Sequence, residues 1–222
     1  MSRTYAIFGG SFNPIHIGHV AVVEQLLQLE VEKIFVIPTS RSPFKQNQDL
    51  LPNELRLEMV TRTFQDWNRV VVSDLEIKSN QVQYTYHTLK QLDLQHPDTR
   101  WNLVIGWDAY QDFPQWKEAK RIITSASLWV VQRSGLLPEN NVSLKDFIVT
   151  PTLTHWFDRI VWNEKQQVAY YQGHELVRYL AFETPVIASS DLRSGSVGIE
   201  WLPQGVRSLY VDYINSREMI QK

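Results

Sequence analysis

The strongest constraint on this chain is an early alternation of apolar strand and amphipathic helix. Residues 4–8 (Thr-Tyr-Ala-Ile-Phe) form a short apolar run stopped by Gly9-Gly10. Such a run ending on two glycines reads as a buried strand entering a loop. Beyond Gly18, Val20, Val22, Val23, Leu26 and Leu27 recur at helical spacing, and residues 33–38 (Lys-Ile-Phe-Val-Ile-Pro) form a second strand ended by Pro38. Strand, loop, helix and strand within about 35 residues make a parallel crossover, for which strand twist favours a right-handed connection.

The alternation continues. Asn53 stands where it would cap a helix carrying Leu55, Met59, Val60 and Phe64, and Val70–Val72 is a strand candidate. Tyr84 to Leu94 is expected to be helical, Trp101–Ile105 a strand, Lys117–Ser125 a helix and Leu128–Gln132 a strand. Strands alternating with helices predict an α/β fold with a doubly wound parallel sheet. After Gly135 the pattern weakens. The polar stretch 134–146 reads as a surface loop, and residues 147–182 are rich in aromatics with no clear period. Pro185–Ile187 is then expected as a strand and Gln204–Asn215 as a final helix.

Composition removes several functional classes. The 222 residues include no cysteine, which excludes disulfide scaffolds, zinc ribbons, iron–sulfur sites and thiol catalysis. Lys and Arg number 22 against 24 Asp and Glu, a net charge of −2. Nucleic-acid and anionic-membrane binders usually carry a basic excess, so neither partner is expected. No stretch approaches the ~20 apolar residues that span a bilayer. The first apolar run is too short for a signal-peptide core, so a soluble cytoplasmic protein is expected.

The chemistry concentrates between the first strand and the first helix, in Gly9-Gly10-Ser11-Phe12-Asn13-Pro14-Ile15-His16-Ile17-Gly18-His19. In open parallel sheets ligands bind beyond the carboxyl ends of strands. Glycines there let backbone approach a phosphate, and a helix N-terminus offers unpaired N–H groups to an anion. His16 and His19 can each donate a hydrogen bond to a phosphate oxygen. An ordinary turn or a metal-binding His pair is the competing interpretation. Zinc would require two further ligands, with no cysteine to supply them. The segment is neither a Walker A loop nor a dinucleotide-binding glycine fingerprint.

Gly10-Ser11-Phe12-Asn13-Pro14-x-His16-x-Gly18-His19 resembles the signature of the nucleotidylyltransferase superfamily, with its His-x-Gly-His motif. Four further segments resemble the bacterial nicotinate-mononucleotide adenylyltransferase family. Ile37-Pro38-Thr39 with Pro43-Phe44-Lys45 resembles its Pro-His-Lys segment, with Phe44 in place of His. Asp74-Leu75-Glu76 followed by Tyr84-Thr85-Tyr86-His87-Thr88-Leu89 resembles its acidic strand end and helix start. Ile105-Gly106-Trp107-Asp108 with Trp116 resembles its Gly-x-Asp…Trp stretch, and Arg133 falls where that family places an Arg. Ile187-Ala188-Ser189-Ser190-Asp191-Leu192-Arg193 resembles its Ile-Ser-Ser-Thr-x-Ile-Arg motif, with Ala188 for Ser and Ser190 for Thr. The resemblance covers about 4–135 and 185–215. It implies one nucleotidylyltransferase domain over 1–222, with an insertion at about 136–183.

The resemblance implies adenylyl transfer from ATP to nicotinate mononucleotide, giving deamido-NAD and pyrophosphate, with Mg²⁺ accompanying ATP. His16, His19 and Arg193 would act on the reacting phosphates. Gly9, Gly10, Ser11, Phe12, Gly18, Lys45, Gly106, Asp108, Ser189 and Ser190 would bind ATP and its phosphates. Tyr84, Thr85, Trp116 and Arg133 would hold the mononucleotide, Trp116 by stacking on the pyridine ring. No residue is expected as a protein-borne metal ligand. Trp156, Trp162, Tyr170 and Tyr171 are taken as core or interface residues; an interface would make a homo-oligomer. Alternatives are a nicotinamide-mononucleotide enzyme and a pantetheine-phosphate adenylyltransferase, the latter opposed by the Tyr-Thr and Gly-x-Asp segments. A catalytically silent nucleotide-binding regulator is sustained by Phe44, Ala188 and the unmatched aromatic stretch.

Overall fold

The computed structural model describes residues 3–40, 50–78, 83–132 and 143–220. Strand β1 (Arg3–Gly10) is followed by helix α1 (Ile17–Leu26), β2 (Lys33–Pro38), α2 (Asn53–Phe64), β3 (Val70–Val72), α3 (Thr85–Gln95) and β4 (Thr99–Gly106). Strand β4 runs directly into α4 (Trp107–Asp112), a 3₁₀ turn at Phe113–Gln115, α5 (Ala119–Ser125) and β5 (Ala126–Val131). Then come α6 (Leu144–Ile148), α7 (Pro151–Trp156), β6 (Ile160–Asn163), β7 (Val168–Tyr171), β8 (His174–Leu180), α8 (Ser189–Ser194) and, after two 3₁₀ turns, α9 (Arg207–Ile220).

The strands form one sheet in the order β3-β2-β1-β4-β5-β8-β7-β6. Strand β1 pairs in parallel with β2 on one side and β4 on the other, and β5 is parallel to both β4 and β8. Both faces are covered, so the central strands read as near-continuous apolar runs. Tyr5, Ile7, Leu103, Ile105, Leu128 and Val130 pack in one layer with Leu89 and Leu92 of α3, Ile122 and Ile123 of α5 and Leu153 of α7. The alternate residues Ala6, Val36, Val104 and Val131 pack in the other with Val23 and Leu26 of α1, Met59 and Phe64 of α2 and Tyr210 of α9. This is the doubly wound sheet expected from the alternation. The chain leaves β1 toward β2 and β3 and later returns to β4 on the other side of β1. That reversal opens a crevice at the carboxyl ends of β1 and β4.

Three local expectations are corrected. Pro185–Ile187 is not a strand. The strand beside β5 is β8, from within the aromatic stretch, anchored by Ser127 Oγ donating to Glu175 O (2.8 Å) and Trp129 Nε1 donating to Glu175 Oε1 (2.8 Å). The backbone at Glu183 is satisfied instead by a side chain. Gln25 Nε2 donates to Glu183 O (2.7 Å), and Gln25 Oε1 accepts from Glu183 N (3.2 Å). Pro185 adds no donor, so no ladder forms there. Asn53 does not cap α2; Pro52 holds that position and Asn53 is the first helical residue. Part of the stretch 134–146 is helical, since Leu144 opens α6, capped by Ser143 Oγ accepting from Asp146 N (3.1 Å).

The aromatic stretch owes its unclear period to its parts. It holds two one-to-two-turn helices and three short antiparallel strands, each too short to show a repeat. Strand β7 pairs antiparallel with β6 and β8, and Tyr171 faces His174 across a two-residue loop. Both loop residues, Gln172 and Gly173, have positive φ (49° and 80°), as a tight hairpin matching strand twist requires. Among the described residues no helix is long and apolar enough to cross a membrane.

Replacing buried Leu176 of β8 (3% exposed) by Ala should cost about 2–5 kcal/mol in urea unfolding. Val186→Ala, at a side chain 73% exposed, should change stability by less than about 0.5 kcal/mol. The reverse order would restore the strand to 185–187.

Candidate active site

The crevice is a cavity of about 730 Å³. Its floor is the carboxyl ends of β1 (Ile7, Phe8, Gly9, Gly10) and β4 (Leu103, Val104, Ile105, Gly106). His16 and His19 enter from the start of α1, Ser189, Ser190 and Arg193 from α8, Tyr84, Thr85 and Thr88 from α3, and Asp108 and Trp116 from the segment after β4. Polar groups from four separate stretches thus converge on one concave volume, of the size expected for a ligand site.

His16 ends the loop and precedes α1 in extended conformation (φ −143°, ψ 169°). Its backbone N donates to His19 Nδ1 (3.2 Å). With Nδ1 accepting, the neutral His19 ring carries its proton on Nε2, the nitrogen able to donate to an anion. The two imidazoles stack, with centroids 3.7 Å apart and planes at 28°. Gly18 makes this possible: a Cβ there would lie 3.1 Å from the His16 ring and 3.1 Å from Ile187 Cγ2. Phe12 has φ +43°, a left-handed conformation costly for a bulky residue, so its surroundings must hold it.

Two bonds join the C-terminal motif to this loop. Arg193 Nη1 donates to Asn13 O (2.6 Å) and Ser189 Oγ donates to Pro14 O (2.9 Å). They bring Arg193 to the cavity that His16 and His19 line, although some 175 residues separate the segments. Trp116 and Tyr84 line the same cavity, and the Tyr84 ring carries Lys117 Nζ at 4.3 Å from its centroid. The aromatic stretch buttresses this wall. Phe147 stacks on Trp107 at 13°, and Tyr110 Oη donates to Ile148 O (2.6 Å). Burial pushes the Tyr110 hydroxyl well above its ordinary value, so it stays a neutral donor.

The described residues of the expected site fall into three groups. Gly9, Gly10, Ser11, His16, His19, Tyr84, Thr85, Gly106, Asp108, Trp116, Ser189, Ser190 and Arg193 line the cavity. Phe12 is buried behind it, edge-on to His19 (centroids 5.0 Å, 68°), and so supports the histidine instead of touching a ligand. Gly18 lines a small adjoining cleft with Val22, Thr184 and Ile187. Lys45 and Arg133, and the departure at Phe44, lie outside the described residues.

The cavity also holds residues absent from the expected site, among them Thr39, Glu76, Gln83, Thr88, Asp112, Gln115 and Lys117. Thr88 lies one helical turn beyond Thr85, a spacing that marks a shared face. Glu76 carries no such signal, because it follows a three-residue strand. Thr88 Oγ1 donates to Glu76 Oε1 (2.6 Å). Burial pushes the Glu76 carboxyl above its ordinary 4.5, and the Thr88 hydrogen bond pulls it partly back.

The fold and site define a class. The cytidylyltransferase-like family model matches residues 7–194, and the chain belongs to that family of nucleotidylyltransferases. Within it, the chain is related to proteins of Bacteroides named "Probable nicotinate-nucleotide adenylyltransferase". It is 39% identical to the Bacteroides fragilis protein over 130 residues, 58% of this chain and 65% of that one. To the Bacteroides thetaiotaomicron protein it is 31% identical over 180 residues, 78% of this chain and 89% of that one. The fold is also that of a Plasmodium falciparum nicotinic acid mononucleotide adenylyltransferase solved with NaAD (TM-score 0.62, 19% identity, 86% of this chain and 83% of that one).

Because the folded chain holds the Glu76 proton more tightly than the unfolded chain, this group's stabilising contribution is full below pH 4.5 and is lost as pH rises through the raised value. Glu76→Gln should therefore gain stability relative to the parent protein as pH rises from 4.5 toward neutrality, in urea unfolding at each pH. A constant difference across that window would contradict a raised carboxyl.

Proposed function

We propose that this protein transfers the adenylyl group of ATP to nicotinate mononucleotide, giving deamido-NAD and pyrophosphate. The observation that supports this best is the shared cavity, lined both by His16, His19 and Arg193 and by Tyr84, Thr85 and Trp116. The first set suits a polyphosphate. The second suits a flat heteroaromatic ring, since an indole face offers a stacking platform and Thr85 a polar edge.

In the step, an oxygen of the mononucleotide 5′-phosphate attacks the α-phosphorus of ATP. The bond from that phosphorus to the oxygen bridging to the β-phosphorus breaks, and pyrophosphate leaves with the electron pair. The nucleophile is already ionised near neutrality, so no strong base is required. The difficulty is bringing anions together: one pair of unit charges at 4 Å repels by about 4 kcal/mol at an effective dielectric of 20. The protein's part is positioning and neutralisation. His19 Nε2–H donates to the transferring α-phosphate, His16 and Arg193 hold the neighbouring phosphates, and Asp108 accepts from a ribose hydroxyl.

Nucleotidyltransferases of this kind generally use a divalent ion with ATP. Among the described residues no three His, Asp or Glu side chains converge as a metal-holding group. A cavity with only separate carboxylates such as Asp108 and Asp112 fits Mg²⁺ that arrives on ATP, because this ion keeps water and phosphate ligands and takes few from protein. When bound it would neutralise phosphate charge. The same reading takes the chain as one domain, with its extra length at about 136–183, working in the cytoplasm on small-molecule substrates.

The test is a panel assay of pyrophosphate release with ATP, Mg²⁺ and nicotinate, nicotinamide or other mononucleotides. Turnover with nicotinate mononucleotide at a kcat/KM at least about tenfold above the amide is expected. Equal efficiency would remove the acid preference, and no turnover with any mononucleotide would leave a silent binding protein. His19→Ala should lower kcat by about 10²-fold or more with a smaller change in KM. Trp116→Ala should raise the mononucleotide KM while ATP affinity holds; an equal loss of both would make it a packing residue.

A further inference from the structure

Arg56 of α2 is a large side chain with no exposure to solvent. Among the described residues it makes no ion pair. A guanidinium has five N–H donors, and each finds an acceptor here. Nε donates to Leu51 O (3.1 Å). Nη1 donates to Ser11 O (2.5 Å) and Thr39 O (2.7 Å). Nη2 donates to Ser40 O (3.1 Å) and Asn53 Oδ1 (2.6 Å). Burial lowers its pKa to about 10, which leaves it charged at neutral pH.

Four of these acceptors are main-chain carbonyls, from three stretches: the loop after β1, the end of β2 and the approach to α2. The fork therefore fixes backbone paths. Ser11 and Thr39 both line the cavity that His16 and His19 also line. A second tie runs alongside, since Leu51 N donates to Asn13 Oδ1 (2.8 Å) and Asn13 O accepts from Arg193. Burying a cation is costly unless every donor is satisfied, and apolar residues of similar volume often fill such a place as well or better. Packing alone therefore does not account for an arginine here.

We infer that Arg56 is a positioning residue for the reaction. It holds the Ser11 and Thr39 carbonyls so that the loop between β1 and α1 is set to receive the triphosphate, and its charge lies behind that loop. This rests on the proposed use of the cavity for ATP, and goes beyond it by assigning a role to a side chain outside the cavity lining.

The test measures three quantities in the full chain and in Arg56→Lys, Arg56→Ala and Asn53→Ala. They are the melting temperature, the Kd of a non-hydrolysable ATP analogue by calorimetry, and kcat and KM with nicotinate mononucleotide. Arg56→Lys keeps the charge but not the fork, and should weaken the analogue by about tenfold or more, the range for lost charged hydrogen bonds, with mononucleotide KM changed by less than about threefold. Asn53→Ala removes one acceptor and should weaken it by only a few fold, which keeps the inference testable if the Arg56 variants do not fold. Ethylguanidinium should restore part of the analogue affinity of folded Arg56→Ala. If folded Arg56 variants lose melting temperature yet keep Kd and kcat within about twofold, or, should they not fold, if Asn53→Ala leaves Kd unchanged, the residue is structural only and the inference is overturned. A parent protein that binds the analogue but turns over no mononucleotide would defeat the proposed reaction while Kd still decides the role of Arg56. A parent that does not bind the analogue would defeat both.

Discussion

The arrangement depends on the parallel pairing of β1 with β2 on one side and β4 on the other. Parallel neighbours send their carboxyl ends to the same edge of the sheet. With the chain reversing direction about β1, two of those ends have connections running away from each other, and a crevice is left between them. Every group at the site is delivered to that edge: the glycine loop by β1, Gly106 and Asp108 by β4, Thr85 by the helix that precedes β4. The apolar layers on both faces hold this edge in place, and the loops add only the last few ångströms of placement.

Those last ångströms are set by polar bonds to main chain, and they repeat one device. A side chain from a distant element reaches a carbonyl of the loop after β1. Arg193 takes Asn13 O, Ser189 takes Pro14 O and Arg56 takes Ser11 O. The loop carries a left-handed Phe12 and closely stacked histidines, neither of which short-range preferences would choose. Carbonyls fixed from outside make that path the lowest in free energy, so the His19 donor is directed before any ligand arrives. An arrangement made in advance spends none of the ligand's binding energy on ordering the loop.

The near-neutral total charge is compatible with polyanionic substrates because the positive groups are gathered and not spread. His16, His19, Arg193 and the start of α1 face one volume, with Arg56 behind it. Asp108 and Asp112 line the same volume, so the lining is not uniformly basic. The aromatic stretch, which matched no pattern, has a mechanical part in this: Phe147 and Ile148 back the wall that carries Asp108 and Trp116.

Sequence by itself determined the fold class, the central strands and part of the lining, because those rest on local information. A buried parallel strand must be apolar on both faces, a phosphate loop needs small residues beside the backbone, and a helix shows its face by period. The motif segments therefore announced His16, His19, Trp116 and Arg193 directly. Only the tertiary structure placed β8 beside β5 instead of a strand at 185–187, because that pairing joins segments some 50 residues apart. Only it moved Phe12 behind the cavity, and only it showed Glu76 buried against Thr88 and Arg56 spread over five acceptors. A lone Arg or Glu in a sequence is read as solvated by default. What makes either otherwise is the loss of water around it, and that is set by chain segments far away along the sequence.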